Sequence, residues 1–430
     1  MVITRPVLEW GAQLDDTSRA IVVANGRAYR LPQRPVAVLC LDGLDPAYLN
    51  VAFADGDLPA ISACRDQGFL EAAEAAMPTF TNPNNVSIAT GSPPSVHGVS
   101  GNYYLDRETG KEVMVTGEEL LTAPTVFAAL AHAGLTVAVV TAKDKLRVAL
   151  SHGLPPGSVS VSAERSGTAS LETNGLTDIP TLVGRPQPDQ YSADLSLFVL
   201  DLGLQLLQSL TPPSLMYLSL SDYVQHLHAP DAPEARDFLR QIDRRIGQLV
   251  ADGCLVAATA DHGMSDMAWP DGTPRVAYLG DALDAALGAG VARVICPITD
   301  PFVRHHGAMG GFVRVHLPDV ARDAARSVLE ESEAVSLVLT REEACTRFEM
   351  PPGPEGDLAV VAAPGWALGS RSNEHDLSAL AGARLRSHGG LAERMVPFLL
   401  SAPLTTAWRD AHPNLRNFDI LDAALNGVAE

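Results

Sequence analysis

No apolar run in the 430-residue chain approaches the roughly 18 to 20 residues of a bilayer-spanning helix, so no membrane span is expected. Cysteine is sparse. Cys40, Cys64, Cys254, Cys296 and Cys345 are widely spaced and form no Cys-x-x-Cys. That pattern argues against a zinc ribbon and a disulfide framework. Cys40 and Cys254 lie inside or beside apolar runs and read as buried small hydrophobes. Positive charge is outnumbered, with 31 Lys and Arg against 51 Asp and Glu, a net charge of −20. Such a chain repels nucleic-acid phosphates and anionic membranes, so neither is expected as a partner. It does not exclude a small anionic substrate, because metal ions can invert a local field. Aromatics make up 5% and charged residues 19%, yet 46% is hydrophobic, which excludes disordered, collagen-like and coiled-coil chains. Met1 to Trp10 contains Arg5 and Glu9 and no apolar h-region. No secretory leader is therefore expected, and the protein is read as cytoplasmic.

What is present is a set of short apolar runs: Val36 to Leu41, Thr136 to Thr141, Leu215 to Leu220 and Leu255 to Thr259. Two follow a helix-like stretch that stops at glycine, Thr125 to Ala133 before Gly134 and Phe238 to Ala251 before Gly253. Helix, glycine and continuous apolar strand is the pattern of a parallel sheet covered on both faces. The expected fold class is α/β, a doubly wound, mostly parallel sheet. Residues 267–368 read differently. Gly- and Pro-rich turns separate shorter runs, Phe312 to Leu317 and Leu358 to Ala362, around a helix-like stretch from Val320 to Ser332. The expectation is an inserted α+β cap at 267–368 on a core formed by 1–266 and 369–430. Arg165 to Gln190, rich in Gly, Pro, Ser and Thr, is expected to be a long irregular connection. The first thirty residues are expected to add a small hairpin or arm.

In open parallel sheets, functional residues gather beyond the carboxyl ends of the strands. After Val36 to Leu41 comes Asp42-Gly43; after Leu215 to Leu220 comes Ser221-Asp222, with His226 and His228 following; after Leu255 to Ala260 comes Asp261-His262-Gly263. Ser387-His388-Gly389-Gly390 lies near the C-terminus. Each piece alone has a plainer reading. Asp42-Gly43 is a common turn, and Asp222 and His226 at i, i+4 could be a solvated pair. His228 could compete with His226, but it leaves that face. Adjacent Asp261 and His262 cannot point the same way in a regular strand and need a sharp turn, which Gly263 permits. Together, three Asp and three His suit two metal sites with mixed oxygen and nitrogen ligands, zinc first, with manganese or iron as substitutes. A nucleophile is available in Met77-Pro78-Thr79-Phe80-Thr81-Asn82-Pro83-Asn84-Asn85, where Pro78 and Pro83 suggest a loop and a helix is expected over Asn84 to Thr90. A hydroxyl such as that of Thr81 there could be a plain N-cap, or a metal-activated nucleophile at an anion-binding helix start.

This set resembles the alkaline phosphatase superfamily. The segment from Pro78 to Asn84 is similar to the nucleophile loop of its nucleotide pyrophosphatase/phosphodiesterase branch, and Ser387 to Gly390 followed by Met395-Val396-Pro397-Phe398 is similar to its C-terminal metal motif. The resemblance implies an alkaline phosphatase-like core in which Asp42, Thr81, Asp261 and His262 hold one zinc and Asp222, His226 and His388 the other. Thr81 would be the catalytic nucleophile. A narrower resemblance, to members that hydrolyse phosphonoacetate, rests on Gly101-Asn102-Tyr103-Tyr104 and Thr141-Ala142-Lys143-Asp144-Lys145. It implies that Asn102 helps bind the phosphonate and that Lys143 and Lys145 bind the substrate carboxylate, with Arg304 and His305 as further contacts. The plainer readings are a turn at Gly101-Asn102 and a solvated strand end at Lys143 and Lys145, although lysine is scarce in the chain. The partner implied is a small phosphonate, and related enzymes are often homodimers. The alternative is a nucleotide pyrophosphatase/phosphodiesterase with the same metals, for which Phe80, Tyr103 and Tyr104 could stack a base. A sulfatase is disfavoured because no Cys-x-Pro-x-Arg occurs.

Overall fold

The structure is a computed structural model and describes residues 13–14, 20–115, 121–300, 307–380 and 382–429. Its centre is a seven-stranded sheet. The strand order is Phe69–Glu74, Met395–Leu400, Leu255–Thr259, Val36–Cys40, Leu215–Ser219, Val137–Thr141, Val159–Ser162. The strands run parallel except Met395–Leu400, which is antiparallel to both its neighbours. Four strands, those starting at Val36, Val137, Leu215 and Leu255, are buried at every residue. This explains their unbroken apolar composition, since a strand covered on both faces has no solvent side to leave polar. The fold is the mostly parallel α/β arrangement expected. Among the covering helices, Ala193–Leu207 and Pro233–Ala251 pack against each other and against the sheet.

A second unit is a four-stranded sheet ordered Arg293–Ile295, Phe312–His316, Leu358–Ala362, Val335–Thr340, all antiparallel. It has its own apolar core with the helices Leu279–Leu287, Arg322–Glu330 and Arg341–Phe348. Met77 and Phe80 belong to this second core, although they come from the chain just before Thr81. The N-terminal arm is a three-stranded antiparallel sheet. Its tip is pinned to the end of the helix Thr81–Thr90, because Asn25 Nδ2 donates to Thr90 O at 2.8 Å.

Two expectations change. The stretch 165–190 is not wholly irregular. The turn Ala163–Thr168 runs into it, and it contains Leu171–Asn174 and Ile179–Val183. Ser170 caps the middle one, its hydroxyl accepting from Thr173 N. The helix expected over Asn84 to Thr90 starts at Thr81 instead. Pro83 does not interrupt it, because amides in the first turn of a helix have no intrahelical partner to lose.

His97 anchors the far half of that helix. Its ring is fully buried, Nδ1 accepts from Val99 N at 3.2 Å, and Nε2 lies 2.8 Å from Ser87 Oγ. Nδ1 therefore carries no proton, and Nε2 donates to Ser87. Burial pushes the imidazole down from 6.5 to about 3. The unfolded chain binds the extra proton within that window, so stability conferred by neutral His97 is complete above pH 6.5 and is lost as pH falls towards 3. His97→Gln is expected to flatten the acid loss of the denaturant midpoint, measured from pH 7 down to about 4. An unchanged slope would show that His97 carries none of it.

Candidate metal centre

Register assembles the site. Val36 lies opposite both Leu215 and Leu255, and Leu215 lies opposite Val137. The four strands therefore finish level, at Cys40, Thr141, Ser219 and Thr259, with neighbours about 4.8 Å apart. Asp42, Lys143, Asp222 and Asp261 each follow their strand end by two or three residues. Gly43 is left-handed at φ 69°, and a Cβ on it would sit 2.8 Å from Asp222 Cβ, so glycine there lets the first loop close on the third. Gly263 has another role. It is not left-handed, and a Cβ would lie 2.6 Å from Asp45 Oδ2, so it provides room for the turn of Asp261 and His262.

Thr81 is the first residue of its helix, behind Phe80 in an extended conformation, and its Oγ1 lies 3.1 Å from His262 Nε2. Buried Asn85, one turn on, fixes the helix to the strand ends. Its Nδ2 donates to Asp261 Oδ2 at 3.0 Å, and its Oδ1 accepts from Tyr217 and Ser219 at 2.7 and 2.9 Å.

The three histidines share one hydrogen-bond pattern. His226 Nδ1 lies 2.7 Å from Arg386 O, His262 Nδ1 2.8 Å from Gly263 O, and His388 Nδ1 2.8 Å from Thr79 O. A carbonyl oxygen only accepts, so each Nδ1 carries the proton and each Nε2 is left with its lone pair. Those lone pairs face carboxylates. His226 Nε2 is 2.8 Å and His388 Nε2 3.7 Å from Asp222 Oδ2, and His262 Nε2 is 3.3 Å from Asp42 Oδ1. Lone pairs opposed at these distances call for a cation between them. A proton on every ring is a poor solution, because the rings of His262 and His388 stack at 3.5 Å and two imidazolium faces would repel. Asp42 Oδ1 is buried with no hydrogen-bond partner, and Asp222, His226 and His388, and separately Asp42, Asp222 and His262, offer ligand atoms within 4.8 Å of one another. The residues present fit a metal ion. Asp261, fully buried, stands 3.8 Å from His262 Nε2 and accepts from Gly43 N and His262 N with Oδ1.

Charge coupling points the same way. Burial, then Asp222 and Asp261, pushes the Asp42 carboxyl well above its ordinary range. Burial acts most strongly on Asp222 as well, and positive charge at the positions of His226, then His388 and His262, is what would overcome it and hold that carboxyl well below, so the site demands a cation there whether or not a ring carries it. Burial, then His262, drives His388 far down, which favours the neutral ring a metal requires.

A cavity of about 540 Å³ opens on the centre, lined by Thr81, Asp222, His388, Asn102, Lys143 and Lys145 among others. Asn102 Oδ1 accepts from Asn82 Nδ2 at 2.6 Å. Lys143 Nζ donates to Gln190 O at 3.0 Å and lies 3.8 Å from Glu164; Lys145 Nζ lies 3.0 Å from Asp300. Arg304 and His305 lie outside the described residues. His228 turns away, towards Glu234 at 3.7 Å. Sequence reasoning did not single out Asn82, Asn85, Glu164 or Asp300. Asn82 and Asn85 flank the threonine in the segment already marked, while nothing local distinguishes Glu164 or Asp300 from other surface acids.

Residues 36–390 match the sequence family described as type I phosphodiesterase/nucleotide pyrophosphatase. A phosphonoacetate hydrolase of Sinorhizobium meliloti 1021 in complex with phosphonoacetate is similar at 45% identity and a TM-score of 0.91, over 96% of this chain and 100% of that one. Murine ectonucleotide pyrophosphatase/phosphodiesterase 5 shares the fold at 17% identity and a TM-score of 0.60, over 92% of this chain and 96% of that one. A phosphonoacetate hydrolase of Penicillium oxalicum is 62% identical over 37 residues, 8% of this chain and 51% of that protein. An uncharacterised pyrophosphatase/phosphodiesterase of Schizosaccharomyces pombe is 29% identical over 218 residues, 51% of this chain and 40% of that protein. The chain thus spans about half or less of the length of these curated relatives.

Zinc added to chelator-treated protein is expected to raise the melting temperature, because it binds only the folded centre. Asp222, common to both donor groups, should be indispensable. Asp222→Ala is expected to lose most of the zinc-dependent rise and most bound metal by elemental analysis, while His228→Ala keeps both. A full rise in Asp222→Ala would remove that residue from the ligand set.

Proposed function

The chain belongs to the type I phosphodiesterase/nucleotide pyrophosphatase family, and from that premise we propose that it hydrolyses the carbon–phosphorus bond of phosphonoacetate to phosphate and acetate. The observation that carries the reading is the presence of Lys143, Lys145 and Asn102 on the wall of the cavity that holds Thr81. A phosphodiester leaves as an alkoxide and needs no such lysines. Phosphonoacetate must instead expel the acetate carbanion. Of the aromatics that a stacked base would use, Phe80, Tyr103 and Tyr104, Phe80 alone is among the residues lining the cavity.

On this reading Asp42, Thr81, Asp261 and His262 would hold one divalent ion and Asp222, His226 and His388 a second, zinc by preference and manganese or iron as substitutes. Bound there, such ions neutralise phosphonyl oxygens and lower the pKa of the Thr81 hydroxyl. The Thr81 oxygen attacks phosphorus in line with the methylene carbon. As the new O–P bond forms, the P–C bond breaks and its electron pair passes to the methylene carbon. That charge spreads onto the carboxylate as an ene-diolate. Lys143 and Lys145 place positive charge where it develops, and the carbanion takes up a proton to leave as acetate. Water then cleaves the phospho-threonine ester, releasing phosphate and restoring Thr81. Asn102, held by Asn82, offers its amide to the phosphonyl group. Residues 267–368 serve as a cap over a core of 1–266 and 369–430.

Purified protein supplied with zinc is expected to release phosphate from phosphonoacetate, and a chelator to abolish the release. Metal-loaded protein that releases none would overturn the reading. Thr81→Ala should lower kcat by roughly a thousandfold or more while keeping most of its metal. A retained rate would exclude the threonine ester. Lys143→Ala should reduce kcat/KM for phosphonoacetate about a hundredfold more than for an aryl phosphodiester. Equal losses would leave Lys143 without a role in the leaving group.

A further inference from the structure

Lys145 and Asp300 form an ion pair on the cavity wall at 3.0 Å, with side chains only 16% and 12% exposed. Lys145 lies in the first turn of the helix Asp144–Leu150, which follows the core strand Val137–Thr141. Asp300 follows the strand Arg293–Ile295 of the second sheet. The ion pair therefore spans from the core to the second unit, and both residues line the space that holds Thr81. Lys143 is placed differently. Its carboxylate neighbour, Glu164, is farther away at 3.8 Å, and Oε1 of Glu164 accepts from Asp144 N at 2.5 Å, which ties it to the same wall.

We propose that Asp300 is a resident carboxylate, which occupies Lys145 until a substrate carboxylate takes its place. The proposal rests on the reading of the site given above and adds to it a residue that determines specificity. A largely buried ammonium without a counter-ion loses hydration and gains nothing in exchange, so the empty site needs a partner for Lys145. Asp300 supplies the same chemical group that phosphonoacetate would bring, in the same charge-assisted hydrogen bond. Binding is then an exchange of one carboxylate for another, with Asp300 turned away from Lys145. A phosphonate without a carboxylate cannot make the exchange. It must share the cavity with the negative charge of Asp300, while Lys145 stays engaged. Selectivity arises from this repulsive element as well as from the lysine itself. An occupied Lys145 also lowers apparent affinity by the fraction of time it is available.

The test is calorimetric binding to the full chain, zinc-supplied and in the Thr81→Ala background so that turnover does not intervene. Phosphonoacetate and methylphosphonate are compared with and without Asp300→Asn. The expected result is that Asp300→Asn tightens phosphonoacetate about tenfold and methylphosphonate by no more than about twofold. Phosphonoacetate binding that is unchanged overturns the proposal. Weaker binding also overturns it, because Asp300 would then merely position Lys145. Equal tightening of both ligands overturns it too, because the aspartate would be acting as general negative charge. Asp300→Ala, with its melting temperature, serves as the second variant and should give the same ratio. Phosphate release by protein that retains Thr81 is scored separately. Its absence counts against the proposed reaction, while the binding ratio still decides the exchange; no phosphonoacetate binding in any form overturns both.

Discussion

Lone pairs on three imidazoles, aimed at the carboxylates of Asp42 and Asp222, form the constraint on which the rest of the molecule turns. Each ring is held by a backbone carbonyl at Nδ1, so none can turn away without losing a buried hydrogen bond. Those carbonyls belong to Thr79, Gly263 and Arg386, in segments far apart in the chain. Folding must bring all three loops to one place before any ion can be held. Metal affinity and native structure are therefore two sides of one equilibrium.

What holds the loops in place is shared between two apolar cores. The level strand ends of the main sheet bring up Asp42, Asp222, Asp261 and His262. Met77 and Phe80, buried in the second core, hold the approach to Thr81 from the other side, and the Phe80 ring meets His388 edge-on at 5.8 Å. Buried Glu393 ties two of the loops together: its backbone carbonyl accepts from Gly263 N at 2.7 Å, and its carboxylate accepts from Gly390 N at 2.9 Å. Thr81 thus lies at the junction of both units, and loosening either would be felt there.

Much of this was legible in the sequence, for local reasons. A continuous apolar run followed by Asp is visible without neighbours, so the strand ends and Asp42, Asp222, Asp261 and His262 could be read directly. Resemblance extended the reading to Thr81 and His388, whose own surroundings are ambiguous. The parts that could not be read depend on contacts distant in sequence. Glu164 and Asp300 gain meaning only because the fold puts them beside Lys143 and Lys145. The start of the helix at Thr81 was hidden by Pro83, a breaker inside a helix but neutral in its first turn. The short helix Leu171–Asn174 was hidden because capping by one serine outweighed a composition typical of loops.

To bind an anion, a chain with a net charge of −20 has to build a local exception. Here two lysines line the cavity beside the candidate metal centre, while acidic residues stand against both. On the proposed exchange, Asp300 stabilises Lys145 in the empty site and competes with a ligand carboxylate for it. Removing the acids would strengthen the field on the ligand but leave two ammonium groups partly desolvated and unpaired. On that proposal, the Lys145–Asp300 pair would trade some affinity for a stable empty site, and would do so selectively. The field would become available to a ligand that returns a carboxylate to the lysine, which would turn an electrostatic cost of the acidic chain into a means of discrimination.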